Sequence, residues 1–95
     1  MTADQITAEV AAKYGITPRV LRSGSRSVIL IEPRNELARR LRIERGMSYG
    51  LIGKWIGRSP HTVGDWFSPH RRIRNLERIR TYRRAQLAAE QEARA

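Results

Sequence analysis

Residues 49–68 read YGLIGKWIGRSPHTVGDWFS, and this stretch predicts two short helices joined by a tight turn. Gly57 is expected to end the first helix, because a sharp reversal of the chain needs a residue that tolerates a positive φ. Ser59-Pro60 begins the second helix with a capping hydroxyl followed by proline at the first helical position. Gly53 supplies the small residue that lets one helix cross closely over the other. This spacing is typical of a helix-turn-helix.

The apolar residues of the same stretch support this interpretation. Ile52, Ile56, Val63 and Trp66 fill the four positions that pack the two helices against each other. Arg58 departs from the pattern, since it follows the turn glycine where an apolar residue is usual. We expect the aromatic side chains of the motif to belong to the core, and these are Trp55, Trp66 and Phe67.

The outward positions of the second helix carry side chains that can read bases. In helix-turn-helix proteins the N-terminal turn of this helix meets base edges in the major groove of DNA. Ser59, His61 and Thr62 can each donate or accept hydrogen bonds there, and the Thr62 methyl suits a thymine methyl. Asp65 is open to two interpretations, accepting from cytosine N4 or orienting a neighbouring side chain. Taken alone, His61 also fits an ordinary surface histidine.

Helical signals continue upstream of the motif. Apolar residues four apart predict a first helix that starts after Thr2 or Asp4 and stops at Gly15. Thr17-Pro18 repeats the order of cap and proline, so a short second helix follows.

Residues 22–31 then lead into a longer helix. Residues 22–27 read RSGSRS, which has the small and hydroxyl-bearing composition of a loop with two arginines. Residues 28–31 are all β-favouring and fit either a short extended stretch or a buried lead-in to the next helix. Pro33 suits the first position of that helix, and Gly46 ends it.

The whole chain is predicted to be all-α, a compact multi-helix domain that carries the helix-turn-helix and a basic C-terminal helix. Residues 1–68 form the DNA-binding domain in this interpretation. Ser68-Pro69 opens the basic helix of residues 69–95, which continues the same domain and is expected to fray from residue 85. One side of this helix is apolar and either pairs with a second copy in a homodimer or packs back on the domain, through Ile73, Leu76, Ile79 and Leu87.

The charge of the chain indicates a polyanionic partner. Its 95 residues include 19 Lys and Arg against 9 Asp and Glu, a net charge of +10. Residues 19–84 hold 17 of these bases and 5 of the acids, a net charge of +12. A solvated helical face usually interleaves the two signs, so charge this one-sided favours contact with phosphates.

Composition also limits the chemistry. The chain has no cysteine and two histidines, so we expect no disulfide, no metal site and no cofactor. His61 and Asp65 lie four apart on one exposed face, and neither Ser59 nor Ser48 gains the buried third partner that activates a serine, so we expect no enzyme. No apolar run approaches the roughly 20 residues of a membrane span, and no secretion signal is evident. These features predict a cytoplasmic, nucleoid-associated protein without a membrane partner.

Four motifs are shared with a known family. They read I-x-x-x-V-A-x-x-Y-G-I-T at residues 6–17, Ser-Arg-Ser-Val at 25–28, Pro-Arg at 33–34 and Gly-Arg-x-x-His-Thr-Val at 57–63. Over about residues 5–67 the chain resembles the C-terminal DNA-binding domain of the bacterial replication initiator DnaA. No Gly-rich loop ending in Gly-Lys-Ser or Gly-Lys-Thr is present, so we expect a stand-alone module without the ATPase.

The resemblance implies DNA contacts outside the helix-turn-helix. The family inserts an arginine of the basic loop into the minor groove, which implies this role for Arg22 and Arg26. A Pro-Arg-Gln segment of the family also contacts DNA, which implies flanking contacts by Arg34 and Asn35, beside the base readers of the second helix. Further backbone or flanking contacts are expected from Arg39, Ser48, Lys54, Arg58, Arg71 and Arg72.

Together these features predict a protein that binds double-stranded DNA at specific sequences. The simplest role is a bacterial or phage transcription regulator that occupies its site or recruits RNA polymerase or another protein through the last helix. One alternative is a recognition subunit for replication initiation or DNA packaging that acts with a separate ATPase. Another alternative is a basic adapter whose last helix docks an acidic protein.

Overall fold

The computed structural model describes residues 1–94, and the regular elements within this range are helical. The α-helices are α1 (Ala3–Lys13), α2 (Pro18–Leu21), α3 (Ile31–Arg45), α4 (Tyr49–Ile56), α5 (Pro60–Trp66) and α6 (Pro69–Arg94). A single 3₁₀ turn, Val28–Leu30, comes before α3. The all-α prediction is confirmed.

Four helices begin where hydroxyl side chains predict it. In α1, α2, α4 and α5 the side-chain oxygen of the residue before the helix accepts a hydrogen bond from a backbone N–H three residues on. This bond satisfies one of the amides that the first turn leaves without a helical partner. The four capping residues are Thr2, Thr17, Ser48 and Ser59.

Helix α3 begins two residues earlier than predicted. The 3₁₀ turn resolves the ambiguous 28–31 stretch as a lead-in to the helix, so Ile31 and not Pro33 is the first helical residue. Pro33 still lies in the first turn, where its missing N–H would have no intrahelical acceptor. The other end is as predicted, since Gly46 closes the helix with φ 62°.

The core lies among the first five helices. The side chains sealed there come from every one of these helices, and the largest of them are Ile6, Val10, Leu21, Leu37, Leu41, Ile52, Ile56 and Val63. Trp55, Trp66 and Phe67 pack against this cluster and are half-buried. The two helices of the motif thus form one wall of the core.

Helix α6 is attached to this core along one side. It contains 26 residues, which corresponds to about 39 Å of helix at 1.5 Å per residue. Ile79 is its one buried side chain within the described residues, while Ile73, Leu76 and Leu87 are exposed. The helix continues through Arg94, and its last segment is rich in strong helix formers, while fraying from residue 85 stays a prediction. None of the helices in residues 1–94 is long and apolar enough to cross a bilayer.

Candidate nucleic-acid interface

The turn between α4 and α5 has the close geometry that its glycines predict. A Cβ on Gly53 would overlap the carbonyl oxygen of Arg58, so only glycine fits at this crossing without a shift of the backbone. Gly57 has φ 82°, and the amides of Gly57 and Arg58 donate to the Gly53 carbonyl at 2.7 and 2.8 Å. These contacts fix how α5 leaves α4.

The N-terminal turn of α5 carries two of the predicted base readers, His61 and Thr62, with accessible side chains. The His61 side chain is 89% exposed. Thr62 is half-buried, and its hydroxyl lies 3.0 Å from the Ser59 hydroxyl. Ser59 also accepts from the Thr62 amide at 3.1 Å, so its side chain serves mainly as the helix cap. Of the three predicted base readers, His61 and Thr62 therefore have the side chains that are not needed as the helix cap.

Asp65 is positioned between two basic side chains. One carboxylate oxygen lies 3.8 Å from His61 Nε2, one turn earlier on the same helix, and 3.7 Å from Arg71 Nε on α6. This arrangement favours the second interpretation of Asp65, in which it orients neighbours. The same carboxylate thus links Arg71 of α6 to α5.

Arg34, for which a flanking DNA contact is predicted, has a structural role in the fold. Its side chain is buried, and the residue is 5% exposed. The guanidinium donates to the carbonyl oxygens of Leu21 at 3.0 Å, Ser23 at 2.8 Å and Ser25 at 2.6 Å. Burial lowers the pKa of Arg34, and the positive charge of Arg58 lowers it further. Arg34 is a positioning residue that holds the 22–27 loop.

Arg58 connects the same loop to the helix-turn-helix. One guanidinium nitrogen donates to the Gly57 carbonyl at 2.9 Å and the other to the Ser25 carbonyl at 3.0 Å. The Ser25 carbonyl thus accepts from Arg34 and Arg58 together. This contact gives a physical reason for the arginine that stands where the motif usually has an apolar residue.

The two arginines of the loop segment are placed differently. Arg22 Nε donates to the Trp55 carbonyl at 2.6 Å, and its guanidinium carbon lies 3.8 Å from the centre of the Trp55 ring. Arg22 is therefore held on the end of α4, beside Lys54, and its entry into the minor groove stays a prediction. Arg26 is exposed and lines the groove that also contains Thr62.

This groove, which we call the arginine groove, lies between the 22–27 loop, α5 and α6 and has a volume of about 480 Å³. The loop contributes Arg26, α5 contributes Thr62, and the turn contributes Arg58. Arg34 contributes to the same lining, and the face of α6 contributes Arg71, Asn75 and Arg78. Four separate chain segments, the 22–27 loop, α3, the turn between α4 and α5, and α6, thus contribute basic side chains to one concave surface.

The other predicted backbone contacts lie on different surfaces. Asn35, Arg39 and Arg72 line a second cavity between α3 and α6 together with Glu32 and Glu36. The Asn35 Oδ1 atom is buried there without a hydrogen-bond partner. Ser48 caps α4, and Lys54 lies with Arg22 beside α1 and α2. The structure therefore brings Arg58 and Arg71 beside α5, whereas Asn35, Arg39, Ser48, Lys54 and Arg72 lie outside the arginine groove.

Two groove residues, Asn75 and Arg78, were missed by the sequence analysis. Their spacing contained the signal, because positions 71, 75 and 78 follow one another at i, i+4 and i+7 on one helix face.

Within residues 1–94, no three His, Asp or Glu side chains cluster closely enough to hold a metal ion. Comparisons with known protein families, with curated proteins and with solved structures find no match to this chain.

Proposed function

We propose that this protein binds double-stranded DNA at specific sequences, with α5 in the major groove and the 22–27 loop over the adjacent minor groove. One observation carries the proposal: Arg26 of the loop and Thr62 of the reading turn line the same groove. A recognition helix and an arginine loop on one face suit neighbouring grooves of a duplex. The net charge of +10 supports a polyanionic partner of this kind.

The loop that we propose to contact DNA is held in place by hydrogen bonds within the chain. Arg34 and Arg58 anchor the Ser25 carbonyl from two sides, so the loop keeps its position relative to the helix-turn-helix. A loop that is already ordered loses less conformational entropy on binding than a free one. The smaller loss of entropy favours tight binding through the limited contact surface of a small domain.

Each contact has a distinct role in the proposal. His61 and Thr62 read base edges, and each good pairing of this type contributes about 1–3 kcal/mol of discrimination against a wrong base. Arg26 enters the minor groove, where its charge is favoured by the negative potential of narrow A·T segments. Ser59 keeps the helix start in place by its cap.

The proposed biological role is regulation of transcription by occupation of a specific site on bacterial or phage DNA. The motifs shared with the DnaA DNA-binding domain support the DNA-binding step. The regulatory role follows because a small domain bound to DNA acts on transcription by blocking its site or by recruiting other proteins. The position of the selected sequences relative to promoters or to replication origins then distinguishes a regulator from a replication or packaging subunit.

The proposal is tested by selecting duplexes from a randomised pool at near-physiological salt. The wild-type protein is compared with the double variant His61→Ala, Thr62→Ala. The matched control is His70→Ala, Thr81→Ala, which removes the same two side-chain types from exposed positions of α6 outside the arginine groove.

We expect the wild-type and control proteins to enrich one short motif and the reader variant to lose it. Thr62→Ala keeps the backbone amide that Ser59 caps, so the helix start should remain intact. Retention of random duplexes without any motif by the wild-type protein would refute sequence-specific binding. Enrichment of the same motif by the reader variant would refute base reading by α5.

A further inference from the structure

We propose that the arginine groove binds backbone phosphates of the same duplex, which makes α6 a third DNA-contacting element. The inference rests on the proposed function and extends it. A single sugar–phosphate strand separates a major groove from the adjacent minor groove. The protein surface between the reading helix and the minor-groove loop must therefore face that strand, and this surface is the arginine groove.

The charge of the groove lacks compensation from the protein. Within residues 1–94, no carboxylate lies at ion-pair distance from the groove residues Arg26, Arg34, Arg58 or Arg78. Asp65 reaches Arg71, at 3.7 Å, and is shared with His61. Like charges gathered in this way repel one another, and a bound anion relieves the repulsion.

Arg34 adds a buried positive charge to the lining of the groove. Its hydrogen-bond partners are three carbonyl oxygens, which satisfy its N–H groups without a formal negative charge. The lowered pKa of Arg34 has burial as its first cause and the charge of Arg58 as its second. A phosphate near Arg58 would counter the repulsion between Arg58 and Arg34.

The arrangement of α6 supports a phosphate as the ligand. Arg71, Asn75 and Arg78 present two guanidinium groups and one amide along a single helix face. Guanidinium groups match phosphate oxygens in geometry and charge, and an amide can donate to the same oxygens. Arg58 faces them from the turn of the motif, so a strand in the groove would be contacted from two sides.

The remaining arginines of α6 provide an internal contrast. Arg80 and Arg84 are exposed and do not line the groove. Arg83 pairs with Glu32 at 3.0 Å, and Arg72 lines the separate cavity beside α3. The proposal assigns phosphate contact to Arg71 and Arg78 and no such contact to Arg80 and Arg84.

The test compares two double variants that remove equal charge from the same helix. Arg71→Gln, Arg78→Gln alters the groove, and Arg80→Gln, Arg84→Gln is the matched control. Affinity for the selected duplex and for a scrambled duplex is measured over a range of salt concentrations. Circular dichroism verifies that both variants keep the wild-type helix content.

Loss of two phosphate contacts should make the slope of log affinity against log salt shallower by about 2, since each contact contributes about 0.9. We expect this change for the groove variant on both duplexes and a much smaller change for the control. Equal slopes for the two variants would overturn the groove proposal, because net charge alone would then explain the loss. Lost preference for the selected duplex in the groove variant would also overturn it, since phosphate contacts carry no base information.

A second measurement locates the contact on the DNA. Single phosphates of the selected duplex are replaced by neutral methylphosphonates, and binding is measured for the wild-type protein and both variants. We expect one or two positions between the major-groove and minor-groove segments to weaken wild-type and control binding but to leave the groove variant unchanged. Identical sensitivity of all three proteins would contradict the assignment. If the wild-type protein shows no preference for any duplex, the proposed function fails, and that result is separate from the comparison of slopes.

Discussion

The first five helices and α6 differ in what holds them in place. The first five share a sealed apolar core to which every helix contributes, whereas α6 has 26 residues and buries the side chain of Ile79. The core region also fixes its loop by buried hydrogen bonds from Arg34. Helix α6 instead presents seven arginines between residues 71 and 84 against a single acid, Glu77. The difference indicates that the stability of the fold resides in residues 1–68, whereas α6 contributes an extended, positively charged surface.

The comparison is tested most strongly by truncating one apolar side chain in each region. Ile52→Ala removes a fully buried side chain between the two helices of the motif and should lower the free energy of unfolding by about 2–5 kcal/mol. Leu87→Ala removes a side chain that is 58% exposed and should change it by less than about 0.5 kcal/mol. Chemical denaturation of both variants measures the difference. Similar losses would mean that α6 is part of the core.

Two glycines within the motif differ in how closely other atoms approach them. Gly53→Ala should destabilise the protein by about 1–3 kcal/mol, because its Cβ would meet the backbone carbonyl of Arg58. Gly64→Ala meets only the ring of Tyr49 at ordinary contact distances of 3.6 and 3.7 Å. It should stabilise α5 by about 0.5–1 kcal/mol through helix propensity. Thermal unfolding measures both changes, and a neutral Gly53→Ala would contradict the close crossing of α4 and α5.

Arg34→Lys tests how the loop is held. Lysine keeps the charge but cannot reach three carbonyl oxygens with a planar fork, so the free energy of unfolding should fall by about 1–2 kcal/mol. Hydrogen exchange of the backbone amides in residues 22–27 should become faster. The control is Arg45→Lys, an exposed position at the end of α3, where we expect no change. Unchanged exchange in the loop of Arg34→Lys would show that other contacts fix it.

Removal of residues 85–95 should have the smallest effect on stability. Residues 85–94 are exposed throughout, and the ion pair between Arg83 and Glu32 is retained in the shortened chain. We expect the free energy of unfolding to change by less than about 0.5 kcal/mol. Denaturation of the shortened chain checks this. A larger loss would place part of the stability of the domain in the end of α6.

Local signals in the sequence predicted the fold well. Hydroxyl caps and positive-φ glycines act over three or four residues, so Ser48, Ser59 and Gly57 could be identified without any knowledge of the fold. The start of α3 was missed because a 3₁₀ turn continues into it, and Pro33 is tolerated anywhere in the first turn.

The candidate site was predicted only in part, since much of it depends on contacts between distant segments. The contact of Arg22 with Trp55 could not be predicted, because Trp55 is 33 positions further along the chain. The burial of Arg34 could have been predicted from its spacing to neighbouring apolar residues. Arg34 lies three and four positions before the buried Leu37 and Ala38, which places it on the inward face of α3.

In the proposed complex α5 and the 22–27 loop contact one DNA duplex together. The most direct measurement is a comparison of backbone amide chemical shifts of the isotope-labelled protein with and without the selected duplex. We expect the amides of residues 22–27 and 59–65 to shift together, along with the groove face of α6 around Arg71 and Arg78. Shifts confined to α6, with the loop and the start of α5 unchanged, would contradict the proposed function.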